Sequence, residues 1–160
     1  MSGKESVILA IRLRGLPRVA PEIEDTLGKL KLGRVHQARV LKLTPSLRGM
    51  IVRAKDYITW GPISEETAVL LVSKRGRLPG NKHLTDEYVK KNSGYRSMEA
   101  FAKALASGAA SIPEIEGLKP VFRLTPPKKG FKGRIQLPVR MGGVTGDRGQ
   151  AINEFAQRMI

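Results

Sequence analysis

His36 and His83 are the only side chains in this sequence whose ordinary pKa suits proton transfer near neutrality, and no cysteine is present to act as nucleophile or thiolate ligand. Carboxylates are scattered and fall mostly at helix starts, so no cluster with catalytic or metal-ligand spacing emerges. Both histidines therefore read as structural or RNA-facing side chains. Gly28-Lys29 is no nucleotide loop, because Ile23 stands where the first glycine is needed and Leu30 where Ser or Thr is needed. No catalytic residue, cofactor, metal or small-molecule substrate is expected. The chemistry the residues do supply is anion recognition: 29 Lys and Arg oppose 14 Asp and Glu, a formal net charge of +15 that calls for a polyanionic partner.

The charge is unevenly spread. Residues 1–60 carry an excess of +7, 61–117 of +1, and 118–160 of +7. A nearly neutral middle between two basic segments suits a protein that meets phosphate on two surfaces. The stretch 126–149 sets Lys128, Lys129, Lys132, Arg134, Arg140 and Arg148 among six glycines, a composition that cannot bury a core of its own and lets the backbone approach a phosphate chain. Its last part, 142–149, leads into a helix and is a candidate anion-binding turn. Gly130-Phe131-Lys132-Gly133 matches the GXXG loop of KH domains, yet Pro126, Pro127 and Pro138 deny it the flanking helices. Eight aromatics in all disfavour readout of single strands by stacking, and Tyr57 and Trp60 weigh toward core packing over base stacking. Recognition of a folded nucleic acid through phosphate, sugar and shape remains.

These residues need positioning. Residues 7–13 alternate Val7, Leu9, Ile11 and Leu13 against Ile8, Ala10 and Arg12, a strand pattern. Gly15-Leu16-Pro17 ends it. Pro21 opens a helix with Glu22, Glu24 and Asp25 at its start, Lys29 and Lys31 at its end, and Ile23, Leu27 and Leu30 on one face. A second strand is expected at 36–43, a helix from Thr44-Pro45 with Leu47, Met50, Ile51 and Ala54 inward, and a third strand at 57–60. Two helices would then cover one sheet face and leave the other available. The middle reads as helical, with Ser64, Thr85 and Ser97 as caps; 121–124 could be a fourth strand, and Asp147 with Gln150 suggests a capping box before a last helix striped by Ile152, Phe155, Ala156 and Met159.

The expected class is α+β in a single domain, with a βαβαβ core at 1–60, a helical region at 61–117 and a basic, glycine-rich segment plus terminal helix at 118–160. No apolar run exceeds five residues, so neither a membrane-spanning helix nor a signal-peptide core is expected, and the absence of cysteine suits the cytoplasm.

Thr44-Pro45-Ser46-Leu47-Arg48-Gly49-Met50-Ile51 followed by Tyr57-Ile58-Thr59-Trp60-Gly61 resembles the universal large-subunit ribosomal protein family L-thirty, whose eukaryotic members are named L-seven. The likeness continues through Lys74-Arg75-Gly76, Leu84-Thr85-Asp86, Met98-Glu99, Phe122-Arg123-Leu124, the turn at 142–149 and the helix holding Gln150, Ile152 and Asn153. Bacterial members resemble only about the first 60 residues, and the long basic N-terminal arm of eukaryotic members is missing, which points to an archaeal source. The resemblance implies a ferredoxin-like-related core with a three-stranded antiparallel sheet, and a structural role on the cytoplasmic ribosome. The implied partners are large-subunit rRNA, 5S rRNA and neighbouring ribosomal proteins, with no membrane. Arg48, Lys74, Arg75, Lys128 and Arg148 coincide with the family motifs as rRNA contacts, whereas Arg12, Arg14, Arg18, Arg53, Lys55, Lys129, Lys132, Arg134 and Arg140 rest on charge and loop placement. The loop at 15–20, the basic face of the second helix and 126–149 are expected to grip rRNA, the last ordering on it. The rivals are an architectural DNA- or RNA-binding protein, permitted by the same charge, and an RNA-acting enzyme, which would need His36 or His83 as base.

Overall fold

A computed structural model describes residues 6–15 and 17–160; Leu16, in the loop at 15–20, lies outside the described residues. The first strand, β1 (Val7–Arg12), is buried along its whole length. It pairs antiparallel on one edge with β2 (Gln37–Lys42), Leu9 opposite Val40, and on the other with β3 (Ile58–Pro62), Ala10 opposite Trp60. The intervening helices are α1 (Pro21–Lys29) and α2 (Pro45–Arg53), each with proline in its first turn, where a missing N–H costs nothing. Thr44 Oγ1 accepts the Leu47 amide at 3.2 Å and so fixes the start of α2.

Ile8 and Ala10 point toward α1 and α2, packing with Leu27, Leu30, Leu32, Leu41, Ile51, Ala54 and Ile58. The opposite face is not available, contrary to the expectation from sequence. Val7, Leu9, Ile11 and Leu13 are covered there by Leu71 and Val72 of α3 (Glu65–Arg75), Phe101 and Leu105 of α5 (Met98–Ser107), and Phe155 and Met159 of α6 (Ala151–Met159). Caps at Ser64, Thr85 and Ser97 form as expected; Thr85 begins the short α4 (Asp86–Asn92). Between α3 and α4, where loops were expected, β4 (Arg77–Leu78) and β5 (Lys82–His83) form a small hairpin.

The main sheet has six strands in the order β6-β2-β1-β3-β8-β7, which corrects the three-stranded expectation. β6 (Phe122–Arg123) adds two residues antiparallel to β2. β8 (Gly143–Asp147) runs parallel to β3, Thr59 opposite Gly146, and β7 (Arg134–Pro138) lies outside it. Neither is evident in the sequence because Gly-Val-Thr-Gly-Asp has little strand propensity; tertiary bonds impose the strand. The segment 126–149 is therefore partly core: Pro127, Val144 and Thr145 are buried and Phe131 is half-buried. Nor does the capping box form. Asp147 ends β8 and accepts the Gly149 amide at 3.0 Å, while α6 begins after Gln150 with no side-chain cap. Asn153 anchors α6 instead, accepting the Ser64 amide at 2.8 Å and donating to the Pro62 carbonyl at 3.1 Å.

α6 reaches β3 closely at Gly61, where an added Cβ would stand 2.2 Å from the Gly149 carbonyl oxygen and 2.8 Å from Ile152 Cγ2. At Gly49, inside α2, an added Cβ meets nothing within 4 Å. Gly61→Ala should thus cost about 1–3 kcal/mol through overpacking, and Gly49→Ala should stabilise by about 0.5–1 kcal/mol through reduced unfolded-state freedom. Urea unfolding of the free chain checks both signs.

Candidate nucleic-acid interface

The fourteen basic positions singled out from the sequence divide by exposure. Ten stand exposed: Arg18, Arg48, Arg53, Lys55, Lys74, Lys128, Lys129, Lys132, Arg134 and Arg140. Arg48 and Arg53 lie on the outer face of α2, whose inner face is spent on Ile51, so amphipathic packing itself turns the cations outward. Arg18 and Lys129 sit in loops with φ of 61° and 65°, backbone conformations that side chains other than glycine seldom adopt and that recur where function fixes a loop. Lys55, just beyond α2, and Arg140, between β7 and β8, line one cleft although they lie far apart in sequence.

The other four are engaged within the fold. Arg12 is 1% exposed; its Nε donates to the Arg14 carbonyl at 2.8 Å and its Nη1 to the Leu32 carbonyl at 2.7 Å. Burial pulls its pKa below the ordinary arginine value, and its guanidinium is not presented to a phosphate. Arg148 is half-buried: Nε donates to Thr59 Oγ1 at 3.2 Å, Nη2 to the Val144 carbonyl, and the guanidinium lies 4.1 Å from the centre of the Phe155 ring. Burial, and then the neighbouring charge of Arg158, lower its pKa. It ties β3, β8 and α6 together. Arg14 lies over the Tyr57 ring at 4.9 Å, and Arg75 Nη2 donates to the Ile160 carbonyl at 2.9 Å.

The candidate anion turn at 142–149 is also corrected. Most of it is strand, the Arg148 amide is spent on the Trp60 carbonyl at 2.9 Å, and the Gly149 amide on Asp147, so these two amides do not converge on an anion. Sequence reasoning missed Arg158, whose Nη1 donates to the Lys128 and Gly130 carbonyls at 3.4 and 3.1 Å and holds the lysine-rich loop to the end of α6. Its only signal was a cation in the last turn of a helix.

The histidines sit apart. His83 Nδ1 lies 3.0 Å from Arg77 Nη1 in the β4–β5 hairpin. His36, with φ 65°, stacks on Phe131 at 6.4 Å between centroids, and Phe131 in turn tilts against Phe155 at 6.1 Å. Burial pushes the His36 pKa below its usual 6.5. Among the described residues no group of three His, Cys, Asp or Glu side chains is placed to hold a metal, and no helix is long and apolar enough to cross a membrane.

Residues 8–58, essentially β1 through the start of β3, match the family model described as ribosomal protein L30p/L7e. Over almost its full length the chain is similar to proteins named large ribosomal subunit protein uL30. The one from Methanosphaera stadtmanae is 50% identical over 150 residues, covering 94% of this chain and 97% of that protein. Those from Thermofilum pendens and Methanobrevibacter smithii are 46% and 44% identical, covering 97% and 96% of this chain and 99% and 100% of theirs.

Arg148→Ala should lower the stability of the free chain by about 2 kcal/mol, whereas Arg53→Ala should change it by less than about 0.5 kcal/mol, both read by urea unfolding. Stability should also decline as pH falls below about 6.5. Above that value His36 is neutral folded and unfolded; below it the unfolded chain takes up the proton first, so the folded state loses ground until the lower folded pKa is passed. His36→Asn, which tolerates the same backbone, should flatten the slope between about pH 7 and 5.5; an unchanged slope would exclude His36 as its source.

Proposed function

This chain belongs to the ribosomal protein L30p/L7e family, in its archaeal branch, and from that premise we propose how its surface serves the ribosome. The chain is a structural constituent of the large subunit, associating with rRNA and other ribosomal proteins in the cytoplasm, and its role is not enzymatic. The observation that carries this conclusion is identity of 50% maintained across 94% of the chain, the basic C-terminal segment included. The DNA-architectural and RNA-enzyme alternatives are dropped on that ground.

The proposed contacts fall on basic surfaces of which two meet at the cleft between Lys55 and Arg140. Arg48, Arg53 and Lys55, with Arg18 on the neighbouring loop, form one rRNA-gripping surface; Lys128, Lys129, Lys132, Arg134 and Arg140 form a second. Their exposure supports this, as does the scarcity of acidic residues after residue 117, where only Asp147 and Glu154 accompany nine cations. Lys74 and Arg75 add a third contact point at the end of α3. Arg12 and Arg148 act through the fold, setting the strands from which these surfaces project. The same basic surfaces also suit a second RNA partner, 5S rRNA.

Sedimentation of a cell extract should place the chain with the large subunit until high salt strips it; accumulation in free or DNA-bound fractions would overturn the assignment. With isolated large-subunit rRNA, replacing Arg48 and Arg53 by Ala should weaken binding and reduce the log–log salt slope by roughly 0.7–0.9 for each phosphate that is no longer neutralised. An unchanged slope would remove α2 from the interface.

A further inference from the structure

We propose that the cleft between the end of α2 and the β7–β8 arm receives an unstacked guanine base of the RNA, an inference that rests on the rRNA-binding reading above. The cleft arises from the way the sheet is extended. α1 and α2 cover the face of β2, β1 and β3, but β8 and β7 continue the sheet past them, leaving a step lined by Trp60. Its volume is about 370 Å³, within the range of small-ligand sites.

The lining has three kinds of group, each with a separate task for a nucleotide. Trp60 is half-buried at the edge of the core, and with Pro138 and Val52, which is 53% exposed, it offers an apolar wall on which a base can stack. Lys55 and Arg140 stand exposed at the cleft, placed to take the phosphates on either side of an extruded nucleotide. The third kind is unexpected in an RNA interface: Asp56 and Asp147, two of only 14 carboxylates in the chain, line the same cleft from segments that meet only in the fold. A carboxylate repels phosphate, so its partner here must be a hydrogen-bond donor, a base N–H or a ribose 2′-OH.

Asp147 is held in place, one oxygen accepting the Gly149 amide at 3.0 Å, which leaves the second to accept from a ligand. Among the four bases guanine alone presents two adjacent donors, N1–H and the exocyclic amine, on its Watson–Crick edge. Adenine and cytosine each set one donor beside a lone pair, and uracil sets one between two carbonyls, so each would bring an acceptor against the carboxylate. Cations, an apolar wall and acceptor-only carboxylates lining one cleft together select guanine.

Trp60 is the single tryptophan, so its emission reports occupancy directly. Short uridine oligoribonucleotides carrying one central guanosine, adenosine, cytidine or uridine should be titrated into the full chain at low salt. The guanosine oligomer should quench Trp60 and bind about tenfold more tightly than the others. Asp147→Asn should abolish that preference while leaving the affinity for the all-uridine oligomer unchanged or higher. If this variant does not fold, as judged by circular dichroism, the comparison of oligomers on the unaltered chain decides alone. Equal quenching by all four oligomers, or none, in a chain that still retains large-subunit rRNA on a filter overturns the guanine site and leaves rRNA binding standing. A guanine preference that survives in a folded Asp147→Asn chain also overturns it. Failure to retain rRNA at all would overturn the ribosomal reading and the guanine site with it.

Discussion

β1 has no solvent-facing side, and the rest of the molecule is arranged to satisfy it. Each of its residues from Val7 to Arg12 is buried, odd positions in one cluster and even positions in the other, while its backbone is paired along both edges. A register slip of one residue would exchange the two faces and carry Arg12 toward the side occupied by Phe101 and Phe155. Burial on both sides demands helices on both sides. α1 and α2 supply one layer, α3, α5 and α6 the other; Arg48 and Arg53 of α2 are thereby turned outward, while Arg12, at the end of β1, is held by the Arg14 and Leu32 carbonyls.

The C-terminal third joins this core through apolar burial of Phe122, Val144, Ile152, Phe155 and Met159 and through a set of polar connections. Thr59 Oγ1 donates to the Gly146 carbonyl at 2.9 Å and accepts from Arg148, so a single hydroxyl joins β3 to both ends of the join with β8. Arg148 then lies over Phe155, and Asn153 clasps the turn between β3 and α3. The Thr59 bond sets backbone of the glycine-rich segment against β3, and the other two contacts fix α6 beside it. Residues 8–58 match the family model by themselves, in keeping with a core to which later segments are appended.

What could be read from the sequence was what local forces decide. Thr44, Ser64, Thr85 and Ser97 each cap a helix because the capping hydroxyl and the amide it accepts are three residues apart, and the stripe of Ile152, Phe155, Ala156 and Met159 is buried because helical periodicity alone brings it to one face. What could not be read depended on partners far along the chain. Asp147 and Gln150 have capping-box spacing, but Asp147 is committed to β8 by its pairing with Trp60, 87 residues earlier. The run Val7-Ile8-Leu9-Ala10-Ile11 carried a sign of two-sided burial, since neither alternating set contains a polar residue before Arg12; reading it as simple alternation left one sheet face wrongly open. The candidate contacts divide in the same way. Composition identified the cations, while only the fold distinguishes Arg53, which faces water, from Arg148, which does not.

The charge distribution links this construction to function. Among the described residues two ion pairs form, Asp25–Lys29 and Glu99–Lys103, each between exposed side chains one helical turn apart. Such pairs contribute little, about 0–1 kcal/mol each, and neither involves a proposed RNA contact. The +15 excess is therefore left largely uncompensated by the protein's own carboxylates, and the folded chain repels itself. Unfolding would relieve that repulsion; so would neutralisation by phosphate, without loss of the core. Binding to rRNA and stability of the fold are thus coupled through the same charges: the polyanion favours the compact state because only there do the contacts proposed on α2, the loop around Lys129 and the β7–β8 arm stand as fixed surfaces.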